Sequence, residues 1–134
     1  MKSQAALEYF TIVTVGLVII IPMIIYLNDA YLSYKDENKI SLARIAVDKI
    51  SNSANWVFSQ GPPAKIKIEV SLPEGIESIS FANNTVNFRI RTKSGYTDVY
   101  KETNMPIVGN ISTDSGYYII SLVAFDDYVG ISVV

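Results

Sequence analysis

Few side chains in this sequence of 134 residues could carry out catalysis or bind a metal ion. The absence of histidine and cysteine removes the commonest catalytic base, thiolate nucleophiles, disulfide bonds and most transition-metal sites. Asp114, Asp126 and Asp127 fall in predicted turns, but their spacing matches no calcium-binding loop. Serine and threonine are plentiful, yet no suitably spaced base accompanies them. We therefore expect no enzyme activity, no metal ion, no cofactor and no small-molecule substrate.

The charge distribution argues against a nucleic-acid-binding protein. Lys and Arg number 11 and Asp and Glu 13, so the formal net charge is −2. Neither half of the chain has the cluster of basic residues that binding to a phosphate backbone requires. The charged fraction of 18% is low, and the mean hydropathy of +0.26 is positive. This composition points to a membrane segment rather than to a larger core.

Two short motifs match the acceptor sequence for N-glycosylation. They are Asn83-Asn84-Thr85 and Asn110-Ile111-Ser112, and both fall in predicted loops, as an exposed acceptor requires. Such motifs also arise by chance in a chain rich in Ser, Thr and Asn. Asn83 and Asn110 are therefore candidate glycosylation sites on an extracytoplasmic domain.

An uncharged stretch, Tyr9–Asn28, lies between Glu8 and Asp29. A helix of about 20 residues spans roughly 30 Å, the thickness of the hydrocarbon core of a bilayer. The alternative is a buried helix of a soluble protein, but the rest of the chain has too little apolar mass to surround it. The stretch is also longer than the apolar region of a cleavable secretory signal. The sequence predicts a single-pass transmembrane helix that contacts membrane lipid.

Two residues inside this stretch, Gly16 and Pro22, predict a kink. Proline lacks the backbone donor and clashes with the carbonyl four residues earlier. In lipid the freed carbonyl needs a partner, such as a threonine hydroxyl or a neighbouring helix, so we expect this helix to have neighbours. Lys2 and the amino terminus precede the stretch, which by the positive-inside rule favours a cytoplasmic N-terminus and an external C-terminal domain.

The helical pattern continues beyond the apolar stretch, because no Gly or Pro occurs from residue 29 until Gly61-Pro62-Pro63. Apolar residues recur there at three- and four-residue steps: Ile40, Ala43, Val47, Ile50, Ala54 and Val57. This predicts one nearly continuous helix from Ala5 to Phe58 whose second half is amphipathic. We expect its apolar face and the terminal Trp56, Val57 and Phe58 to pack on the C-terminal half of the chain; the alternative for these three is a ligand-binding aromatic cluster.

After residue 63 the apolar period changes from 3.6 to 2, which is typical of strands with one buried face. Strands are predicted over Lys65–Leu72, Ile76–Phe81, Val86–Arg91, Tyr96–Lys101, Tyr117–Phe125 and Tyr128–Val134. Ser94-Gly95 is the predicted hairpin turn that leads into Tyr96–Lys101. Pro106, Gly109-Asn110 and residues 113–116 indicate irregular chain. The predicted fold class is α+β, in which a long N-terminal helix packs by its second half on a small antiparallel β domain of six or seven strands.

The first residues, Lys2-Ser3-Gln4-Ala5-Ala6-Leu7-Glu8-Tyr9 followed by the apolar stretch, resemble the class III signal peptide of archaeal type IV pilin-like proteins. The resemblance implies that a membrane-embedded prepilin peptidase cuts between Ser3 and Gln4. It also implies that Glu8 is the glutamate found five residues into the mature chain. The expected organisation is a leader peptide at 1–3, a transmembrane and assembly helix at 4–28, an amphipathic helix at 29–60 and an extracytoplasmic domain at 61–134.

The function implied by this resemblance is that of a major or minor structural subunit of a type IV pilus-like cell-surface filament. The expected partners are membrane lipid, the prepilin-type signal peptidase, and copies of itself or other pilin-like subunits through the N-terminal helix. The alternative is a single-pass anchored protein whose extracytoplasmic β domain binds a partner and is neither cleaved nor polymerised. Four tyrosines of the predicted strands are either ordinary strand-surface residues or parts of an adhesive patch: Tyr96, Tyr100, Tyr117 and Tyr118.

Overall fold

A computed structural model describes residues 1–134 as two compact units, Met1–Lys35 and Asp36–Val134. One helix, α1 (Lys2–Gln60), contributes to both, so the long helix predicted from the sequence is confirmed and extends by a few residues at each end. It ends at the predicted glycine. Gly61 adopts a φ of 77°, which favours glycine, and its amide donates a hydrogen bond to the carbonyl of Phe58 at 3.0 Å.

The first unit is a helical segment whose side chains are exposed. The most apolar eighteen-residue stretch of α1 has a mean hydropathy of 2.6, and none of it is buried. By length and composition α1 is apolar enough to cross a membrane once. The first unit therefore has the properties of a single-pass membrane anchor.

The helix continues without interruption through Gly16 and Pro22. Thr11 and Thr14 each donate their hydroxyl to the carbonyl four residues earlier, at 2.8 Å. These two bonds lie N-terminal to Val18, whose carbonyl Pro22 deprives of its usual amide donor. The kink expected at Gly16 and Pro22 stays a prediction.

The second unit combines the C-terminal part of α1 with seven strands. They are β1 (Lys65–Leu72), β2 (Ile76–Ala82), β3 (Thr85–Thr92), β4 (Gly95–Glu102), β5 (Ile107–Gly109), β6 (Gly116–Ala124) and β7 (Val129–Val133). A four-stranded sheet has the order β1-β6-β7-β5, and a three-stranded sheet has the order β2-β3-β4. The predicted α+β class and the predicted number of strands are confirmed.

Two details of the sheets differ from the prediction. The strand β5 forms where the sequence indicates irregular chain, and it pairs with β7 in parallel, whereas every other pair is antiparallel. Three residues are too few to show a period of two, so local sequence carries no signal for this pairing. The turn between β3 and β4 is Lys93-Ser94, one residue earlier than predicted, because Thr92 pairs with Gly95.

One apolar cluster joins α1 to both sheets. From α1 it takes Ala43, Ala46, Val47, Ile50, Ala54 and Val57, each no more than 2% exposed. Ile40 is partly buried against the same cluster. From the strands it includes Val70, Phe88, Ile90, Ile120 and Leu122. The predicted packing of the second half of the helix on the β domain is therefore confirmed.

The aromatic end of α1 differs from the prediction at one residue. Val57 is fully buried and Phe58 is partly buried against the core, but Trp56 is 54% exposed. Successive residues on a helix are separated by about 100°, so the position before Val57 points away from the face that Val57 buries. The prediction that Trp56 packs on the β domain is wrong.

Candidate functional site

The residues predicted to take part in processing and assembly lie together at the start of α1. Ser3, Gln4 and Glu8 are all helical and all exposed. Gln4 and Glu8 are four residues apart and therefore share one face of the helix. Peptidase cleavage and the assembly role of Glu8 stay predictions, while their placement on one exposed helical segment is observed.

Apolar side chains follow Glu8 on every face of the helix. Ile12 is 71% exposed and Tyr26 is 72% exposed, although both are large and apolar. Exposed apolar surface is unfavourable in water by roughly 25 cal/mol per Å². This half of α1 therefore requires either lipid or apolar partner helices around it.

One flank of α1 in the second unit is held to β4 and the loop after it by polar contacts. Nζ of Lys101 lies 3.3 Å from Oδ1 of Asp48 and donates to Oδ1 of Asn52 at 3.0 Å. Oδ1 of Asn55 accepts a hydrogen bond from the main-chain nitrogen of Asn104, also at 3.0 Å. These contacts join this flank of α1 to β4 and to the loop that follows it.

The opposite flank of α1 leaves an open groove beside β1, which is an edge strand. The groove has a volume of about 310 Å³, and its lining includes Leu42, Ile45, Lys49, Glu69, Ser71 and Tyr117. Nζ of Lys49 donates a hydrogen bond to the main-chain oxygen of Glu69. Ile45 is 60% exposed and Tyr117 is 79% exposed. Lys49 and Glu69 are the charged residues of an otherwise largely apolar lining.

An ion pair lies on the outer face of the three-stranded sheet, where Arg89 on β3 is directly opposite Asp98 on β4. Nε of Arg89 is 3.0 Å from Oδ1 of Asp98, and Nη2 is 3.3 Å from Oδ2, so the contact is bidentate. The hydrogen bond from Arg89 lowers the pKa of the Asp98 carboxyl below its ordinary value. The same bond raises the pKa of Arg89.

The tyrosines of the sheets are mostly on the surface. Tyr96, Tyr100 and Tyr117 are exposed, while Tyr118 is partly buried against the core. The guanidinium of Arg91 lies 5.9 Å from the centroid of the Tyr96 ring, within the range of a cation–π contact. The prediction of surface tyrosines therefore fits three of the four residues, and an adhesive role stays a prediction.

The asparagines of both glycosylation motifs are exposed, and they lie in a turn and in a loop. Asn83 and Asn84, with φ angles of 53° and 56°, form the turn between β2 and β3. Asn110 directly follows β5 in a segment without helix or strand. Attachment of a glycan to Asn83 or Asn110 stays a prediction.

The three turn aspartates, Asp114, Asp126 and Asp127, are exposed. Oδ2 of Asp114 accepts a hydrogen bond from the Ser112 hydroxyl at 3.1 Å. No group of three or more His, Cys, Asp or Glu side chains is placed to hold a metal ion.

Comparison with known proteins finds no match: no protein-family model, curated protein or solved structure is significantly similar to this chain.

Sequence reasoning missed the groove beside β1. The sequence pattern places Lys49 on the polar side of the amphipathic helix and Glu69 on the solvent-exposed face of a strand. It does not predict that the two residues are in contact. Leu42 and Ile45 carry the available signal, because both are apolar residues outside the stripe that packs on the core. Apolar residues off the buried face of a helix mark a second contact surface.

Proposed function

We propose that this chain is a structural subunit of a type IV pilus-like surface filament and that its N-terminal helix anchors it in the cytoplasmic membrane before assembly. One observation carries the proposal: the first half of α1 is apolar and uncovered, while its second half is part of the core of a β domain. Because the two halves of α1 differ in this way, the first half can exchange lipid for the helices of neighbouring subunits while the β domain stays folded. The start of the helix, with Gln4 and Glu8, supports the same function by its resemblance to pilin-like signal peptides.

Before assembly, the proposed arrangement has the N-terminus in the cytoplasm and the β domain outside. Residues 9–28 span the bilayer, in agreement with the exposure and hydropathy of this segment. A prepilin-type peptidase hydrolyses the peptide bond between Ser3 and Gln4, which leaves residues 1–3 on the cytoplasmic side. The product has a new α-amine at Gln4.

During assembly the apolar helix leaves lipid and enters a bundle of like helices. Lipid tails and neighbouring helices are similarly apolar, so the exchange is nearly neutral for the hydrophobic effect. Close packing at small residues, here Ala5, Ala6 and Gly16, then supplies the attraction. An unpaired Glu8 carboxylate in such a bundle would cost on the order of several kcal/mol, whereas the α-amine of a neighbouring subunit offsets most of this cost. A head-to-tail contact that does not close into a ring produces a filament.

Intact mass and N-terminal sequencing of the protein from its native membrane test the processing step. We expect a chain that begins at Gln4. A chain that begins at Met1 and never enters filaments supports the alternative, a single-pass anchored protein with an external binding domain. The same mass measurement reports glycans on Asn83 or Asn110 as an excess over the mass of the polypeptide.

A substitution at Glu8 tests the assembly step. Glu8→Gln is expected to insert into the membrane normally but to yield no filaments, because the amide cannot form the ion pair. The matched control is Glu37→Gln, an exposed glutamate of α1 outside the apolar stretch, which should assemble normally. Normal filaments from Glu8→Gln would refute the role of this carboxylate.

A further inference from the structure

We propose that the groove beside β1 receives the N-terminal helical segment, residues 4–8, of a second copy of this chain, and that Lys49 of the groove pairs with Glu8 of that segment. This inference rests on the proposed filament function and identifies the surface on which one subunit receives the next. It is carried by the chemistry of the groove and by the charges of the segment.

The groove is open and can accept a partner. Leu42 and Ile45 contribute apolar surface from α1, and Tyr117 contributes an exposed ring from β6. The ammonium of Lys49 uses one of its three donors on the main-chain oxygen of Glu69 and forms no ion pair in the structure. A cation with unused donors beside apolar surface favours a partner that brings a carboxylate.

The N-terminal segment matches the groove in size and in charge. Ala5 and Ala6 are small enough for close approach of a helix, and Leu7 adds an apolar side chain that is 68% exposed. The processed segment carries two charges, the α-amine at Gln4 and the carboxylate of Glu8. The groove carries the two opposite charges, on Glu69 and Lys49.

The two oxygens of the Glu8 carboxylate can accept hydrogen bonds from more than one donor, so pairing with Lys49 is compatible with pairing to an α-amine. The proposed contact joins Glu8 of one copy to Lys49 of a second copy. The donor segment and the receiving groove are different surfaces. The contact is therefore heterologous and can repeat from copy to copy, as a filament requires.

The pairing also fixes a register that can be measured. All copies leave the membrane in the same direction, so their helices run parallel in the assembly. With Glu8 of one copy beside Lys49 of another, Ile12 lies one turn beyond Glu8 and Ser53 lies one turn beyond Lys49. Ile12 of one copy should therefore lie close to Ser53 of the next.

Cysteine crosslinking tests this register directly, because the chain contains no cysteine of its own. The double variant Ile12→Cys/Ser53→Cys, oxidised in assembled filaments, is expected to give a ladder of disulfide-linked oligomers. A mixture of the two single variants is expected to give only dimers. The matched control is Ile12→Cys/Asn52→Cys, since Asn52 is adjacent to Ser53 but faces the flank that contacts Lys101, and it should give no ladder.

Charge reversal tests the ion pair within the same assay. Lys49→Glu is expected to reduce the crosslinking yield of the Ile12→Cys/Ser53→Cys chain by at least about tenfold. Lys67→Glu, a reversal on the exposed face of β1, should leave the yield unchanged.

The outcomes separate this inference from the proposed function. Filaments that assemble but give no ladder, or crosslink only to a different protein, overturn the pairing and leave the filament function intact. An unmodified chain that never forms filaments contradicts the filament function and this pairing together.

Discussion

Nζ of Lys101 on β4 lies 3.3 Å from Oδ1 of Asp48 on α1, and this contact joins the helix to an edge strand of the three-stranded sheet. Next to it along the helix, Ile50 is fully buried in the cluster that both sheets share. The polar contact and the apolar one together make the second half of α1 a part of the β domain. The helix supplies a layer that seven short strands do not supply for themselves.

The first prediction concerns folding of the second unit alone. A fragment of residues 36–134 is expected to fold as a soluble monomer, because all of the buried apolar cluster lies within it. A fragment of residues 61–134 is expected to remain unfolded or to aggregate, because it lacks the buried residues of α1. Circular dichroism and the dispersion of amide NMR signals distinguish these outcomes, and a well-folded 61–134 fragment would contradict the structural role of the helix.

The second prediction compares a buried and an exposed isoleucine on α1. Ile50→Ala is expected to lower the free energy of unfolding by about 2–5 kcal/mol, because it leaves a cavity in the core. Ile45→Ala, at a position that is 60% exposed, is expected to change it by no more than about 0.5 kcal/mol. Urea unfolding of the full chain in detergent, followed by the fluorescence of Trp56, measures both. Equal effects of the two substitutions would show that the buried face is assigned incorrectly.

The long elements of this fold could be predicted from the sequence because their signals extend over many residues. The stripe from Ala43 to Val57 covers four turns of helix, and the alternation in Lys65–Leu72 covers a whole strand. The prediction for Trp56 is wrong because hydrophobicity alone does not say on which side of the helix a residue lies. The strand β5 could not be predicted because its three residues are positioned by β7 rather than by their own pattern.

The candidate groove could not be predicted for a similar reason. It is formed by residues that are far apart in sequence, and Lys49 meets Glu69 only after the edge of β1 packs beside α1. Glu8, in contrast, lies at the border of the apolar stretch and can be recognised from the sequence alone. Local anomalies of charge are visible in a sequence, whereas a groove between two elements requires their packing.

The third prediction concerns a glycine in β5. A Cβ atom at Gly109, where φ is 148°, would lie 2.1 Å from the carbonyl oxygen of Ile131 on β7. Gly95 has a φ of 139°, and a Cβ atom added there would meet no heavy atom within 4 Å apart from those of the adjacent residues. Gly95 is therefore the matched control for backbone strain alone. Gly95→Ala is expected to cost about 1–3 kcal/mol, and Gly109→Ala is expected to cost more and to break the pairing of β5 with β7. Urea unfolding gives the costs, and hydrogen exchange at the β7 amides reports the pairing.

The last prediction concerns the pH dependence of stability through Asp98. The hydrogen bond from Arg89 lowers the pKa of this carboxyl in the folded state, so the unfolded state binds the proton more tightly. The stabilisation is therefore fully present above the ordinary aspartate pKa of about 3.9 and is lost as the pH falls through the lowered value. Asp98→Asn should be less stable than the unmodified chain at neutral pH. The difference should shrink toward zero in acid, where the unmodified side chain is also neutral.

The control for loss of a surface charge is Asp126→Asn, which changes an exposed aspartate in the turn between β6 and β7. Urea unfolding of all three proteins across the acid range measures their free energies of unfolding. A stability difference between Asp98→Asn and the unmodified chain that stays constant with pH would contradict the prediction.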